Sequence, residues 1–169
     1  MARVTVLPYD PAWKAAFDTI RQELEQGLGD LVCTIHHVGS TSVEGLAAKP
    51  IIDLDLVIRD RADLPAAAEK LAAMGYVHQG DLGIPDREAF GYRDKPHLWR
   101  HNLYVCPADS RELHRHLTFR DYLRAHPEAA AEYGAIKLEG ARLHPEDIDG
   151  YMAHKAPCSR KLYAWCGLE

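Results

Sequence analysis

The spacing of apolar residues changes several times along the chain and predicts where helices and strands lie. After Asp10 and Pro11, a helix-capping pair, apolar residues recur every three or four positions and stop at Gly29. This stripe consists of Trp13, Ala16, Phe17, Ile20, Leu24 and Leu28. A similar stripe predicts a second helix over residues 63–74.

Shorter apolar runs, separated by Gly- and Pro-containing turns, are typical of strands. They predict strands over residues 31–38, 51–58, 76–79, 88–92 and 98–105. Three helical stretches follow, the first capped by Asp109 or Ser110 and the others opened by Pro127 and Pro145. This order predicts the fold class α/β (α+β). We expect one domain over residues 1–169, with a mixed α/β core (1–108) and a helical tail (109–169) packed on it.

Two carboxylates, Asp53 and Asp55, interrupt the most apolar of these strands. Because strand side chains alternate between faces, Asp53 and Asp55 share a face with Lys49 and lie roughly 6.5–7 Å apart. Mg²⁺ (or Mn²⁺) suits such a pair, since it takes one or two carboxylates and fills its other positions with water and phosphate oxygens. The alternative is that the pair meets solvent or pairs with Lys49.

A Gly-Ser turn precedes this strand. Gly39 allows close approach of a ligand to the backbone, and Ser40, Thr41 and Ser42 supply hydroxyl donors. If a short helix begins near Ser42, its free N–H groups would face an anion. An ordinary strand-to-helix turn with a Ser or Thr cap is the alternative. The Asp-x-Asp strand 13 residues after Ser40 favours nucleotide phosphates held against a cation.

These two elements resemble the signature of a known family. The run HHVGSTSVEGLAAKPIIDLDLVI is similar to that of the GrpB family (UPF0157), within the nucleotidyltransferase superfamily. The similarity extends to VTVLPYDPAW, LGIPDREAF, RHNLYVCPADSRELHRHLTFRDYLRAHPE and EYGAIKLEGARLHPEDIDGYMAHK. It implies a polymerase-beta-like core with a short mixed sheet. It also implies that Gly39 and Ser40 contact a nucleoside triphosphate and that Asp53 and Asp55 bind the metal.

Basic residues in the family-like segments FRDYLR, YGAIK and YMAHK are candidates for phosphate binding. We expect Arg120, Lys137 and Lys155 to reach phosphates as charged donors, together with Lys49. The alternative is that they are solvated surface charges, as most lysines and arginines on helices are. For Arg120 an ion pair with Asp121 is a further alternative.

One departure from the superfamily pattern leaves two functions open. Active members add a third carboxylate from a neighbouring strand, but the predicted strand 98–105 holds no Asp or Glu. Its nearest polar residues are His101 and Asn102, while Glu88 lies on the preceding strand. A His can act as general base near neutral pH. The chain is therefore predicted to be either a metal-dependent nucleotidyltransferase using a nucleoside triphosphate and a small acceptor, or a non-catalytic nucleotide-binding or chaperone-like module with a protein partner.

The charge balance of the chain argues against long nucleic acids as partners. The chain has 169 residues, and 20 Lys and Arg against 25 Asp and Glu give a net charge of −5. It therefore has no overall basic field for long nucleic acids. No leader pattern or membrane-length apolar run is present, so a cytoplasmic protein is expected. The four cysteines and ten histidines show no zinc-binding spacing.

Overall fold

One mixed sheet of five strands forms the centre of the molecule. The computed structural model describes residues 2–169, in which the strands are β1 (Thr34–Val38), β2 (Ile52–Ile58), β3 (Tyr76–Gly80), β4 (Glu88–Tyr92) and β5 (His101–Pro107). The helices are α1 (Ala12–Leu28), α2 (Leu64–Ala73), α3 (Arg111–Ala125), α4 (Pro127–Leu143) and α5 (Ile148–Trp165). The predicted mixed α/β core followed by helices is confirmed.

The strand order β1-β2-β5-β4-β3 places β2 between the edge strand β1 and the central strand β5. Strand β2 pairs antiparallel with β1 and parallel with β5, and the remaining pairs are antiparallel. In this register Asp53 lies opposite Asn102, and Asp55 lies opposite Tyr104. Residues opposite one another share a face of the sheet. Both carboxylates and these two β5 side chains therefore lie on the same face.

The other face of β2 is apolar, as predicted, and packs against α1 and α2. Ile52, Leu54, Leu56 and Ile58 are all buried in the main core cluster. They meet Ile20, Leu24 and Leu28 of α1 and Leu71 of α2 in that cluster. Each such side chain contributes roughly 1.5–3 kcal/mol on burial. This packing fixes the register of β2, because a shift by one residue would turn the carboxylates into the core.

Helices α3 to α5 pack on the segment that follows the Gly-Ser turn. Val43 and Leu46 form a second apolar cluster with side chains of these helices: Leu123, Ala129, Ala130, Tyr133, Cys158 and Leu162. At Gly134 a Cβ atom would lie 3.3 Å from the backbone nitrogen of Ala47, so α4 approaches this segment closely. The cluster brings the helices beside the carboxylate face. No helix within residues 2–169 is long and apolar enough to cross a bilayer.

Several element boundaries differ from those predicted. Strands β1 and β5 each begin three residues later than expected, and a 3₁₀ turn precedes β1. Ser110 caps α3, since its side chain accepts a hydrogen bond from Leu113, whereas Asp109 pairs with Arg61. Helix α5 is capped by Asp147 instead of being opened by Pro145. At α3 and α5, a side chain that accepts a hydrogen bond from the first turn decided where the helix begins.

Candidate functional site

Asp55 is fully buried, and only one of its two carboxylate oxygens has a hydrogen-bond partner. Its Oδ2 atom accepts a hydrogen bond from Nδ1 of His116 at 2.6 Å, and the residue has 0% exposure. Its Oδ1 atom has no hydrogen-bond partner among residues 2–169. Because an unpartnered carboxylate oxygen is costly to bury, this atom fits a cation ligand.

Asp53 lies beside it in a polar setting. Its Oδ1 atom accepts a hydrogen bond from Nδ2 of Asn102 at 2.9 Å. The pKa of Asp53 is raised to about 6, because burial outweighs the opposing hydrogen bond from Asn102 and the charge of Asp55 acts in the same direction as burial. Two neighbouring carboxylates in a poorly hydrated setting repel one another, and a divalent cation would relieve that repulsion.

His116 links Asp55 to a further acid. Its Nε2 atom lies 3.2 Å from Oε1 of Glu112, one helical turn earlier on α3. Burial lowers the pKa of His116, but the hydrogen bond and charge of Asp55, with Glu112, raise it overall. The sequence reasoning missed both residues. The i,i+4 spacing placed them on one helix face, but Asp55 lies 61 positions away in the chain.

The Gly-Ser turn lies directly against Asp53. Gly39 has a positive φ of 73°, and a Cβ atom there would clash with Oδ2 of Asp53. Ser40–Ser42 form a single 3₁₀ turn that leads into extended backbone. The short α-helix considered near Ser42 is therefore absent, and its N–H groups are not available for an anion.

The three hydroxyls of the turn have different surroundings. Thr41 is buried with its Oγ1 atom 2.9 Å from Nε2 of His37, and Ser42 donates to the carbonyl oxygen of Gly39. Arg124, which the sequence reasoning also missed, donates from Nε and Nη2 to the carbonyl oxygen of Ser42 at 3.0 and 2.8 Å. The turn is thus tied to α3, and Ser40 lies at the mouths of two clefts.

The first cleft, which we call the lysine cleft, has a volume of about 250 Å³. It is lined by Ser40, Thr41, Ala48, Lys49, Ile51, Asp53, Asn102, Lys137, Tyr151 and Lys155. Lys137 is only 2% exposed, and its Nζ atom lies 4.8 Å from the ring centre of Tyr133. Within residues 2–169 no carboxylate lies within 4.0 Å of that atom. A buried, unpaired ammonium group indicates a site for an anion.

The lysines of this cleft also destabilise one another's charge. Burial, with the charges of Lys155 and Lys49, lowers the pKa of Lys137 to about 7, against the opposing charge of Asp53. Burial, followed by the charge of Lys49, lowers the pKa of Lys155 as well. Three lysines of this kind around one space would gain from a bound polyanion.

The second cleft, which we call the aromatic cleft, also has a volume of about 250 Å³. It is lined by Gly39, Ser40, Val43, Asp53, Glu112, Arg115, His116, Phe119, Arg120, Leu123, Tyr133 and Tyr163. Arg120 donates to the carbonyl oxygen of His37 at 3.2 Å and pairs with Asp121 at 2.9 Å, so the structural ion pair considered for it exists. The two clefts meet at Ser40 and Asp53.

On the neighbouring strand β5, the side chain that lies opposite Asp53 is Asn102, an amide and not a carboxylate. Of the residues considered for the role of the third acid, His101 points to the opposite face, where its Nε2 atom lies 2.8 Å from the hydroxyl of Tyr76. Glu88 lies opposite Val105, on the core-facing side, and pairs with His78. Neither residue reaches Asp53, because adjacent strand positions alternate between faces.

The predicted site residues are therefore brought together to different degrees. Gly39, Ser40, Asp53 and the lysines border the two clefts, whereas Asp55 lies beneath His116. Within residues 2–169, no group of three or more His, Cys, Asp or Glu side chains is arranged to hold a metal ion. Mg²⁺ needs only one or two carboxylates when phosphate oxygens complete its shell, so Asp53 and Asp55 still fit it.

Comparison with known proteins places this geometry in a family. The model of the family described as "GrpB protein" matches residues 3–164. The UPF0157 protein YqkA of Bacillus subtilis is 35% identical over 90% of this chain and 44% of its own length. A UPF0157 protein of Halalkalibacterium halodurans is 36% identical over 95% of this chain and 81% of its own. The chain thus spans less than half of the first relative and most of the second.

Solved structures give the fold relationship. The crystal structure of GrpB from Enterococcus faecalis has a TM-score of 0.80 and 34% identity, covering 95% of this chain and 98% of that one. A structure of the Cid1 poly(U) polymerase has a TM-score of 0.56 and 10% identity, covering 78% of this chain and 42% of that one. The second likeness shows a shared polymerase-beta-like nucleotidyltransferase fold and no more. With its family signature and nearly full-length matches, the chain belongs to the GrpB family.

Proposed function

We propose that this protein binds a nucleoside triphosphate with a divalent cation and transfers the nucleotidyl group to a small acceptor. The observation that carries the proposal is the lysine cleft, in which a buried and unpaired Lys137 faces the same space as Asp53. A cation site and an anion site that share one cleft are what a metal-bound triphosphate requires.

The phosphates occupy the lysine cleft in this proposal. Lys49, Lys137 and Lys155 donate charged hydrogen bonds to the phosphate oxygens, and Ser40 adds a hydroxyl at the mouth. Because the pKa of Lys137 is lowered to about 7 by burial, a bound polyanion would also favour its charged form. Phosphate binding and protonation of Lys137 therefore support one another.

Asp53 and Asp55 would hold the cation, with the free Oδ1 atom of Asp55 as one ligand atom. A bound Mg²⁺ or Mn²⁺ supplies charge neutralisation and alignment of phosphate oxygens. The nucleoside lies in the aromatic cleft, where Phe119, Tyr133 and Tyr163 provide ring surfaces next to Ser40 and Asp53.

The transfer step balances as a displacement at phosphorus. The acceptor hydroxyl oxygen forms a bond to the α-phosphorus, while the bond from that phosphorus to the oxygen bridging to the β-phosphorus breaks. Pyrophosphate leaves with the electron pair, and the hydroxyl proton passes to Asp53. Asn102 cannot take this proton, because an amide is not a base near neutral pH. Its role is to hold Asp53 through the 2.9 Å hydrogen bond.

A second function, nucleotide binding without transfer, is favoured by the same Asn102. An amide where the superfamily's active members carry an acid removes the usual proton acceptor. A dephospho-CoA kinase of Mycolicibacterium paratuberculosis is 31% identical over 97% of this chain but only 46% of its own length. A domain of this kind within a longer protein also suits a chaperone-like module that acts on a protein partner.

Calorimetric titration with ATP, GTP, CTP and UTP, each with and without Mg²⁺, tests binding. We expect Mg²⁺-dependent binding that is lost in Asp53→Asn/Asp55→Asn and about tenfold weaker or worse in Lys137→Met. Lys70→Met, an exposed change on α2, serves as the matched control and should bind as the wild type does. Failure of the wild type to bind any of the four would overturn nucleotidyl transfer and nucleotide binding alike, and would leave the chaperone-like module.

Pyrophosphate release separates the two functions. The wild type is incubated with Mg²⁺, the bound nucleotide and mixtures of small alcohols. Release that disappears in Asp53→Asn supports transfer. Tight binding with no release from any mixture favours the non-catalytic module.

A further inference from the structure

The part of the sheet next to the carboxylates is not covered by any helix. On the carboxylate-bearing side of β3, β4 and β5, the structure forms a shallow depression of about 500 Å³. Ala89 lies opposite Tyr104 and Gly91 lies opposite Val77, so small residues form its floor. Val77 is 60% exposed. A volume of this size is typical of sites for small ligands.

This depression, which we call the arginine face, opens onto the lysine cleft. Asn102 lines both of them and donates its hydrogen bond to Asp53. A ligand on the arginine face would therefore lie next to Asn102 and, through it, close to Asp53. The aromatic cleft is reached from Asp53 past different residues, those of α3 to α5.

The charged side chains that line the arginine face are all positively charged. Arg93 and Arg100 are both exposed, and they are its charged lining groups; none of the residues lining it within 2–169 is a carboxylate. Neither arginine forms an ion pair within the described part of the chain.

A third arginine, Arg87, lies against Tyr104, which is one of the residues lining the arginine face. The guanidinium carbon of Arg87 lies 4.4 Å from the ring centre of Tyr104, and its buried Nε atom has no hydrogen-bond partner within residues 2–169. Stacked in this way, Arg87 holds the Tyr104 ring and adds positive charge behind it. An anion is the ligand that this set of side chains fits.

We propose that the arginine face is the acceptor site and that it takes a small alcohol bearing a phosphate or carboxylate group. Arg93 and Arg100 bind the anionic group, and the hydroxyl lies beside Asn102 and Asp53. The role as acceptor site rests on the proposed function, whereas binding of the anionic alcohol does not.

Amide chemical shifts of ¹⁵N-labelled protein test the site directly, with glycerol 3-phosphate as the probe. We expect saturable shifts at amides of β4 and β5 that glycerol alone does not cause. The double variant Arg93→Gln/Arg100→Gln should bind about tenfold more weakly. Arg59→Gln, an exposed arginine at the far end of β2, is the matched control and should bind as the wild type does. A parallel titration with glycerate shows whether a carboxylate serves in place of phosphate.

The outcomes separate this proposal from the proposed function. Shifts confined to residues of the lysine cleft, or equal binding by wild type and double variant, overturn the arginine face as an anion site. Nucleotide binding is measured on the same samples with MgATP, so its failure is seen independently. Once pyrophosphate release is established with any acceptor, the double variant should raise the acceptor's KM without changing nucleotide affinity. An unchanged acceptor KM would also overturn the proposal.

Discussion

Oδ2 of Asp55 and Nδ1 of His116 lie 2.6 Å apart, across 61 positions of sequence. This contact orients the buried carboxylate so that only one oxygen remains free. Partners of this kind around a metal-binding carboxylate fix its orientation, and their loss lowers metal affinity. His116 is accordingly a positioning residue in the proposed site.

We predict that His116→Ala weakens Mn²⁺ binding by about 10–100-fold. It should also lower the free energy of unfolding by about 1–3 kcal/mol, since the second oxygen of Asp55 loses its partner. Electron paramagnetic resonance of free Mn²⁺ measures the first effect, and urea denaturation measures the second. His114→Ala on the exposed side of α3 is the control. Unchanged Mn²⁺ affinity in a folded His116→Ala protein would show that Asp55 needs no orienting partner.

Alanine substitutions at Gly39 and Gly45 can be compared to test the role of the Gly-Ser turn. Both have positive φ, 73° and 85°, so Ala strains the backbone at each position. Only at Gly39 does the added methyl group also meet Asp53, since nothing lies within 4 Å at Gly45. We predict that Gly39→Ala is less stable than Gly45→Ala by about 1–3 kcal/mol and that it alone loses nucleotide binding. Thermal denaturation and calorimetry measure the two effects, and equal losses in both variants would contradict the prediction.

We expect Lys137 to stabilise a bound nucleotide but to lower the free energy of unfolding of the protein without nucleotide. Replacing a buried unpaired charge by an apolar side chain of similar length is often stabilising, so we predict that Lys137→Met raises the free energy of unfolding by about 1–3 kcal/mol near pH 6. Urea denaturation measures this change, with Lys70→Met as the exposed control. A less stable Lys137→Met protein would mean that the ammonium group has a favourable role in the folded chain.

The stability difference between Lys137→Met and the wild type should depend on pH, because burial lowers the pKa of Lys137 from 10.5 to about 7. Between these two values the unfolded chain binds the proton and the folded chain does not. The free energy of unfolding therefore rises with pH in this window, by the contribution of this group. We predict that the advantage of Lys137→Met is constant below about pH 6 and shrinks as the pH is raised above 7. Denaturation of both proteins at matched pH values measures it, and an advantage that grows with pH would be inconsistent with a lowered pKa.

Sequence patterns predicted much of the fold because they report local geometry. The alternation in β2 assigned Asp53 and Asp55 to one face and the apolar side chains to the core, as the structure confirms. The spacing in α1 and the Gly-Ser turn were likewise visible, because they depend on neighbours a few residues away. The family signature added the mixed sheet and the helices that follow it.

What the sequence by itself determined is therefore the set of elements and the two carboxylates, since the backbone period alone decides which side chains share a face. Only the tertiary structure decided which distant residues meet them. The parallel pairing of β2 with β5 places Asn102, and not His101, beside Asp53. Packing of α3 brings His116 to Asp55, and packing of α4 buries Lys137 without a partner. These contacts depend on how separate elements pack against one another. A local sequence pattern covers only a few neighbouring residues and cannot show which distant residues will meet.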